Sequence, residues 1–125
     1  MSKRILIVED QEDNRTILRD VLSTVGYELF EALNGKDGVR LAQSERPDLI
    51  LMDIQLPKMD GYEATQQIRS IAELKTIPII AVTSYALSGD EAKARAAGCD
   101  GYIAKPFSPR ELLAKVRKYL SDEAS

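Results

Sequence analysis

Apolar and polar positions alternate along the chain in blocks that predict strands followed by helices. The apolar runs at 5–8, 49–52 and 79–82 are continuous, which is typical of strands buried on both faces of a sheet. Glu28 and Glu31 interrupt the second run, as expected for a strand near a sheet edge. The predicted strands are 5–8, 27–32, 49–52, 79–82 and 102–104.

Segments with the apolar spacing of helices lie between or after these strands. Three helix starts have the residue spacing of a capping box; the pairs are Asp60 with Glu63, Ser88 with Glu91, and Ser108 with Glu111. Asn34 is a weaker cap, and Pro109 suits the first position of a helix. The predicted helices are 13–25, 35–44, 62–72, 89–97 and 109–121.

The first and last helices each have a strong apolar face, which predicts firm packing on the sheet. These faces consist of Ile17, Leu18, Val21, Leu22 and Val25, and of Leu112, Leu113, Val116 and Leu120. The fourth helix offers mainly Ala92, Ala94, Ala96 and Ala97. Because alanine buries less apolar area than leucine, we expect this helix to shift most readily.

Five strand–helix units with right-handed crossovers predict an α/β fold with a parallel sheet covered on both faces. We expect the flavodoxin-like (βα)5 doubly wound arrangement, with strand order 2-1-3-4-5, and a site at the switch point between strands one and three. The 125 residues suit a single domain over 1–125, with a short polar tail at 121–125.

Composition narrows the classes of function. The formal charge of −3 and pI near 5.0 argue against binding nucleic acid or an anionic membrane. The chain has no histidine and one cysteine, Cys99, which excludes internal disulfides, imidazole-based catalytic triads and histidine-ligated zinc. With no leader or apolar run long enough to span a bilayer, we expect a reducing, cytoplasmic setting.

Polar residues follow four of the predicted strands at their carboxyl ends. They are Glu9 and Asp10, Asp53, Thr83 and Lys105. Neighbouring strands lie about 4.8 Å apart, so Asp10 and Asp53 should be able to share a cation. Two spacings, about 10 Å, separate strands three and five, a gap that the Lys105 side chain plus one small bridging anion could close. Clustered carboxylates repel one another, and an all-oxygen site of this kind favours Mg²⁺.

Cation, hydroxyl and ammonium around Asp53 would neutralise a phosphoryl group during transfer, which makes Asp53 a candidate nucleophile. Each residue also has an ordinary interpretation: Asp53 as a loop cap, Glu9 and Asp10 as solvated acids, Lys105 as a surface charge. The combination of all of them in order along the strands favours the functional interpretation.

With these positions in place, the sequence resembles the receiver domain of bacterial two-component response regulators. The resemblance spans nearly the whole chain. It is carried by ILIVED at 5–10, LILMDIQLPKMDG at 49–61, PIIAVTSYA at 78–86 and YIAKPF at 102–107. The wording around these motifs is most similar to stand-alone receivers of the DivK cell-cycle type, although receivers fused to hybrid kinases share much of it.

The resemblance implies that Glu9, Asp10 and Asp53 hold Mg²⁺ with the backbone carbonyl of Gln55. Asp53 would be the phosphoacceptor, with phosphohistidine on a sensor histidine kinase or histidine phosphotransfer protein as the donor. It further implies that Lys105 pairs with a phosphoryl oxygen, that Thr83 and Tyr102 form a coupled switch pair, and that a cis bond between Lys105 and Pro106 aims the lysine. For Tyr102, the residues alone suggest an ordinary, partly buried aromatic.

Output is expected through contacts with a downstream protein, because only the short tail follows the last helix. Near Asn14, Ile17 and Leu18 the first helix is a candidate docking face for the kinase, although packing explains the two apolar residues equally well. We expect no turnover of a separate substrate: the domain would catalyse only its own phosphorylation and dephosphorylation. Gln55 and Tyr85 should line the path of hydrolytic water, with Tyr85 slowing dephosphorylation.

Three alternatives remain open. The chain could be an intermediate in a phosphorelay, or a constitutive protein-binding module that uses the fold without phosphorylation; the complete set of acidic, threonine and lysine positions argues against the latter. The third alternative is a phosphatase with an aspartate nucleophile. Enzymes of this class usually carry a second acid two residues after the nucleophile, and the presence of Gln55 at that position argues against this alternative.

Overall fold

A computed structural model describes residues 2–83 and 90–120 as one five-stranded parallel sheet between two layers of helices. The strands are β1 (Arg4–Val8), β2 (Glu28–Ala32), β3 (Leu49–Asp53), β4 (Ile79–Thr83) and β5 (Gly101–Ala104). The helices are α1 (Glu12–Ser23), α2 (Gly35–Glu45), α3 (Gly61–Arg69), α4 (Asp90–Ala97) and α5 (Pro109–Leu120). A short 3₁₀ turn, Ala72–Leu74, follows α3.

The sheet has the order β2-β1-β3-β4-β5, and every pair is parallel. The predicted flavodoxin-like order is therefore confirmed. All five residues of β3 and all five of β4 are buried, whereas β2 at the edge is only partly buried. These burial patterns agree with the continuous apolar runs of the central strands and the interrupted run of the edge strand.

Two apolar cores lie on opposite faces of the sheet. One includes Leu6, Met52 and Ile68 beneath α2, α3 and α4, and the other includes Ile7, Leu22 and Val116 beneath α1 and α5. Alternate residues of each buried strand point to opposite faces. A single central strand therefore contributes to both cores.

Two predicted helices are too long. α1 ends at Ser23 and not at residue 25. Just after Ser23 the Thr24 hydroxyl donates to the carbonyl of Val21 at 2.7 Å, and Gly26 adopts a positive φ of 86°. The predicted third helix, 62–72, ends at Arg69, because the Ser70 hydroxyl donates to the carbonyl of Gln67 at 2.6 Å and the chain then turns extended. Hydroxyls that bond back to helical carbonyls compete with continuation of the helix.

Burial corrects two of the predicted apolar faces. Ile17 and Val25 are 52% and 39% exposed, so only part of the predicted first-helix face packs on the sheet. Of the four alanines in α4, Ala94 and Ala97 are buried while the other two are exposed. The apolar contact of α4 with the sheet is therefore smaller than predicted.

Helix caps agree with two of the three predicted capping pairs. Asp60 accepts from the Glu63 backbone N–H at 2.9 Å, and Ser108 accepts from that of Glu111 at 3.0 Å. Asn34, predicted as a weaker cap, accepts from the Asp37 N–H at 2.7 Å and caps α2 fully. Ser88, from the third predicted pair, and the predicted polar tail at 121–125 lie outside the described residues.

Candidate active site at the carboxyl edge of the sheet

The structure brings the five predicted polar residues to one edge of the sheet. Glu9 and Asp10 directly follow β1, Asp53 ends β3, Thr83 ends β4, and Lys105 directly follows β5. The register aligns these ends, since Val8 pairs with Met52, Asp53 with Val82, and Thr83 with Ala104. In a parallel sheet this is the edge where the carboxyl ends of all strands meet.

Three carboxylates form a compact acidic cluster. Glu9, Asp10 and Asp53 each offer an oxygen, and these oxygens lie within 4.8 Å of one another. Glu9 and Asp53 are buried, at 1% and 4% exposure. Buried acids in mutual contact are costly unless a cation or a proton compensates them.

Lys105 reaches across the edge to this cluster. Its Nζ lies 3.0 Å from Glu9 Oε1 and 3.8 Å from Asp53 Oδ2. The lysine side chain spans the gap between strands three and five by itself, because it extends along the edge and pairs with Glu9 directly. The bond between Lys105 and Pro106 is cis, as the resemblance implied.

Backbone donors orient the two buried carboxylates. The Gln11 N–H donates to Glu9 Oε2 at 3.1 Å, and the Gln55 N–H donates to Asp53 Oδ1 at 3.1 Å. Gly61 closes the loop after Asp53: its N–H donates to the carbonyl of Ile54 at 2.9 Å, and a Cβ there would overlap the Asp53 carbonyl oxygen. The start of α3 therefore packs directly on the end of β3.

The two buried acids differ in their protonation behaviour. Burial raises the pKa of Asp53 to about 6, and the adjacent Glu9 carboxylate adds to this increase. The hydrogen bond from the Gln55 N–H acts in the opposite direction and lowers the pKa. For Glu9, burial acts to raise the pKa, but hydrogen bonds from Lys105, the Gln11 N–H and Asp53 outweigh it and hold the pKa below its usual range. Lys105 thus stabilises the charge on Glu9 more than the charge on Asp53.

Thr83 and Tyr102 lie on adjacent strands. Thr83 is buried, at 3% exposure, and its carbonyl accepts from the Lys105 N–H at 2.7 Å. Tyr102, on β5, is half-buried and packs against the core beneath α2, α3 and α4. Tyr85, predicted to line the path of hydrolytic water, lies outside the described residues.

The acidic cluster suits Mg²⁺. Its donors are all oxygens, from three carboxylates within reach of one ion, and Mg²⁺ prefers oxygen ligands of this kind. Burial, together with the neighbouring Glu9 carboxylate, raises the pKa of Asp53, so further positive charge beside Asp53 would favour its ionised form. A divalent cation would supply that charge.

A shallow groove of about 350 Å³ lies beside the acidic cluster, between α1 and the segment after β5. Its lining residues are Asn14, Ile17, Leu18, Lys105, Pro106 and Phe107. The sequence left two explanations for Ile17 and Leu18, packing in the core and docking of a kinase. Core packing accounts for the buried Leu18 but not for the exposed Ile17.

One residue next to the cluster was not predicted from the sequence. The Arg15 guanidinium donates to the Glu9 backbone carbonyl at 3.0 Å and pairs with Glu31 of β2 at 3.4 Å. The only sequence signal is that Arg15 is one helical turn after Gln11, the residue that precedes α1.

No helix within residues 2–83 and 90–120 combines the length and apolar character that a membrane span needs.

Comparison with known proteins agrees with this geometry. Residues 5–117 match the response regulator receiver domain family. The polar-differentiation response regulator DivK of Brucella anthropi is 45% identical over 122 residues, which cover 98% of this chain and 99% of that protein. The protein of the same name from Brucella ovis is 43% identical over 122 residues, with the same coverage of both chains.

Solved structures show the same fold. The receiver domain of a sensor histidine kinase from Pseudomonas aeruginosa, with a magnesium ion coordinated in its active site cleft, has a TM-score of 0.91 and 38% identity, over 98% of this chain and all of that one. A CheY-like receiver domain protein from Methanospirillum hungatei has a TM-score of 0.90 and 33% identity, over 99% of this chain and 98% of that one. The resemblance inferred from the sequence is confirmed: this chain belongs to the response regulator receiver domain family and is similar to the stand-alone receiver DivK.

Proposed function

We propose that this chain is a phosphorylation switch whose phosphoacceptor is Asp53. The observation that carries the proposal is the contact of Lys105 with both Glu9 and Asp53, at 3.0 and 3.8 Å, within a cluster of three carboxylates. A lysine and a divalent cation on either side of one buried carboxylate are suited to phosphoryl transfer, which depends on positioning and on charge neutralisation.

The transfer step uses the side chains at this edge. A carboxylate oxygen of Asp53 attacks phosphorus in a phosphohistidine of the donor protein, and an O–P bond forms as the P–N bond breaks. The electron pair of that bond leaves on the imidazole nitrogen of the donor. Lys105, 3.8 Å from Asp53 Oδ2, pairs with a phosphoryl oxygen, and the Gln55 N–H holds the other Asp53 oxygen in place.

Glu9, Asp10, Asp53 and the backbone carbonyl of Gln55 are the proposed ligands of Mg²⁺. When bound, the ion supplies positive charge that neutralises the carboxylates and the transferring phosphoryl group. The similar receiver from Pseudomonas aeruginosa, with magnesium in its active site cleft, supports this assignment.

Thr83 and Tyr102 are the proposed switch pair. Thr83 ends β4 beside the acidic cluster and would donate its hydroxyl to the phosphoryl group, and Tyr102 on the neighbouring strand would turn into the space that this movement opens. α4 buries only two of its alanines, so a rearrangement there has little packing to break. The changed face of α4, β5 and α5 would bind the downstream protein.

The donor is a sensor histidine kinase or a histidine phosphotransfer protein, since the chain has no histidine of its own. We propose that it docks in the groove lined by Asn14, Ile17 and Phe107, where the exposed Ile17 and the half-buried Phe107 border Lys105. The likeness to the polar-differentiation response regulator DivK supports a role in two-component signalling. We propose that this role is cytoplasmic and belongs to control of the cell cycle. Turnover of a separate substrate is not expected.

Phosphorylation by acetyl phosphate with Mg²⁺ tests this function without a partner. Wild type should incorporate phosphate, and Asp53→Asn should lose incorporation because amide nitrogen and oxygen are poor nucleophiles. Asp37→Asn, at a surface-facing acid of α2 outside the cluster, is the matched control and should behave as wild type. Equal incorporation in wild type and Asp53→Asn would remove Asp53 from its role.

A further inference from the structure

Arg15 connects three parts of the fold next to the acidic cluster. It lies in the first turns of α1, and its side chain is 13% exposed. Nη1 donates to the backbone carbonyl of Glu9 at 3.0 Å, and Nε lies 3.4 Å from Glu31 Oε1 on β2. The guanidinium is therefore held by two partners, one directly after β1 and one on β2.

The Glu9 carbonyl belongs to the peptide unit that joins Glu9 to Asp10. The Glu9 N–H donates to the carbonyl of Ala32 at 3.0 Å, which holds the preceding side of the residue in the sheet. The sheet ladder ends there. The next peptide plane is held by Arg15 at the Glu9 carbonyl, and the Gln11 N–H bonds the Glu9 carboxylate across the same turn. A peptide plane directs the Cα atoms on both of its sides. The orientation of this plane sets the position of the Asp10 Cα atom, from which the Asp10 side chain reaches the acidic cluster.

We propose that Arg15 is a positioning residue that sets the Mg²⁺ affinity of the acidic cluster through the Glu9–Asp10 peptide. This inference rests on the proposed function, because it takes Mg²⁺ to be the ion bound by that cluster. Residues that orient metal ligands from outside the coordination sphere commonly change metal affinity when they are replaced.

Charge alone predicts the opposite effect. A guanidinium beside the acidic cluster repels a divalent cation, so its removal should tighten Mg²⁺ binding if Arg15 acts only through its charge. If Arg15 acts by orienting the peptide, its removal should weaken Mg²⁺ binding. The sign of the change separates the two roles.

Arg19 provides a matched control one turn further along α1. It forms two hydrogen bonds with the same Glu31 carboxylate, at 2.7 and 2.8 Å, and no contact with the Glu9 carbonyl occurs among its interactions in the described part of the chain. Arg15→Met and Arg19→Met each remove one arginine partner of Glu31. Only Arg15→Met removes the contact with the acidic cluster.

The experiment is a Mg²⁺ titration of the metal-free full chain, followed by the amide resonances of Glu9, Asp10 and Asp53. Arg15→Met should bind Mg²⁺ about tenfold more weakly than wild type, whereas Arg19→Met should keep the wild-type affinity. The Mg²⁺ affinity of Arg15→Lys should lie between those of Arg15→Met and wild type. An ammonium can still donate to the Glu9 carbonyl, but it cannot hold the Glu9 carbonyl and Glu31 together. If Arg15→Met does not fold, the comparison of Arg15→Lys with wild type decides the matter.

Unchanged or tighter Mg²⁺ binding in the Arg15 variants would overturn the positioning role, as would equal weakening in Arg19→Met. Failure of the proposed function has a different signature, since wild type itself would then show no Mg²⁺-dependent shifts at Glu9, Asp10 and Asp53.

Discussion

The two ends of the sheet both carry ion pairs, but the pairs differ in burial and in charge balance: Glu9 and Asp53 are buried, whereas Asp100 is exposed. At the carboxyl edge, three carboxylates meet one lysine, and burial together with the neighbouring Glu9 raises the pKa of Asp53 to about 6. At the opposite edge, Arg69 and Asp100 pair at 2.6 Å. The first arrangement is short of positive charge, and the second is balanced.

The balanced end is a structural clamp. Arg69 donates to backbone carbonyls of Leu74, Lys75, Ile77 and Gly98 at 2.7 to 3.1 Å. Asp100 also accepts from the backbone N–H of Ile79 at 2.9 Å. These contacts tie α3 to the start of β4 and the end of α4. The comparison teaches that a charge-balanced pair ties the elements of the fold together, whereas a cluster with more carboxylates than cations marks the proposed ligand site.

Removal of the clamp should have the largest effect on stability. Arg69→Met removes the guanidinium donor from four backbone carbonyls and from Asp100, which keeps only the Ile79 N–H among its side-chain contacts in the described part of the chain. We expect this loss to lower the free energy of unfolding by about 2 to 4 kcal/mol. Urea unfolding measures this loss, and a Mg²⁺ titration of the folded variant should show unchanged affinity. A loss of Mg²⁺ binding without loss of stability would reverse the assignment of the two edges.

Addition of Mg²⁺ should stabilise only the carboxyl edge. At a free concentration one hundred times the dissociation constant, a ligand that binds only the folded state adds about 2.7 kcal/mol. We expect such a gain at pH 8 in wild type and none in Asp53→Asn. The gain should shrink below pH 6, because the proton on Asp53 competes with the metal. Chelation by EDTA should remove it, and a gain that is independent of Asp53 would contradict a shared acidic site.

The charge on Asp53 should destabilise the metal-free protein. Its pKa is about 6 in the folded state against 3.8 as the ordinary value, so the folded state holds its proton more tightly. The resulting stability is fully present below pH 3.8 and is lost as the pH rises through about 6, to a total of up to about 3 kcal/mol. Metal-free Asp53→Asn should therefore be more stable than wild type by about 1 to 3 kcal/mol at pH 8.

Unfolding of wild type and Asp53→Asn at several pH values in EDTA checks this expectation. The difference in their free energies of unfolding should narrow as the pH falls toward 4. A constant difference across this range would mean that the substitution acts through packing and not through the charge.

The smallest effect is expected at an exposed ion pair that belongs to neither edge cluster. Arg40 pairs with Asp37 at 3.3 Å on α2, and its side chain is 66% exposed. Solvent screens such a pair, so Arg40→Met should change the free energy of unfolding by at most about 0.5 kcal/mol. A larger change would show that exposed charges also carry stability here, and would weaken the contrast between the two edges.

The fold was predictable from the sequence because its strands are short, buried and apolar. The observed strands begin and end within one residue of the predicted ones, and Asp53 lies at the rim because the apolar run 49–52 ends there. Helix ends were less predictable: α3 stops at Arg69 through a hydroxyl contact of Ser70 that apolar spacing does not reveal.

The candidate site was predictable in its members but not in its contacts. Strand ends place Glu9, Asp53 and Lys105 at one edge, yet the direct pairing of Lys105 with Glu9 depends on how far a flexible side chain extends. The contact of Arg15 with the Glu9 carbonyl depends on how α1 packs against β2. Neither distance is encoded in a local pattern, because each joins elements through tertiary packing.

The most direct test of the account is the amide spectrum of the chain with beryllofluoride and Mg²⁺, which together mimic a phosphoryl group on a carboxylate. We expect large shifts at Glu9, Asp53, Thr83 and Tyr102, little change at Arg69, and no response in Asp53→Asn. An unmoved spectrum around Thr83 and Tyr102 in the wild-type protein would contradict the switch and favour a constitutive binding module.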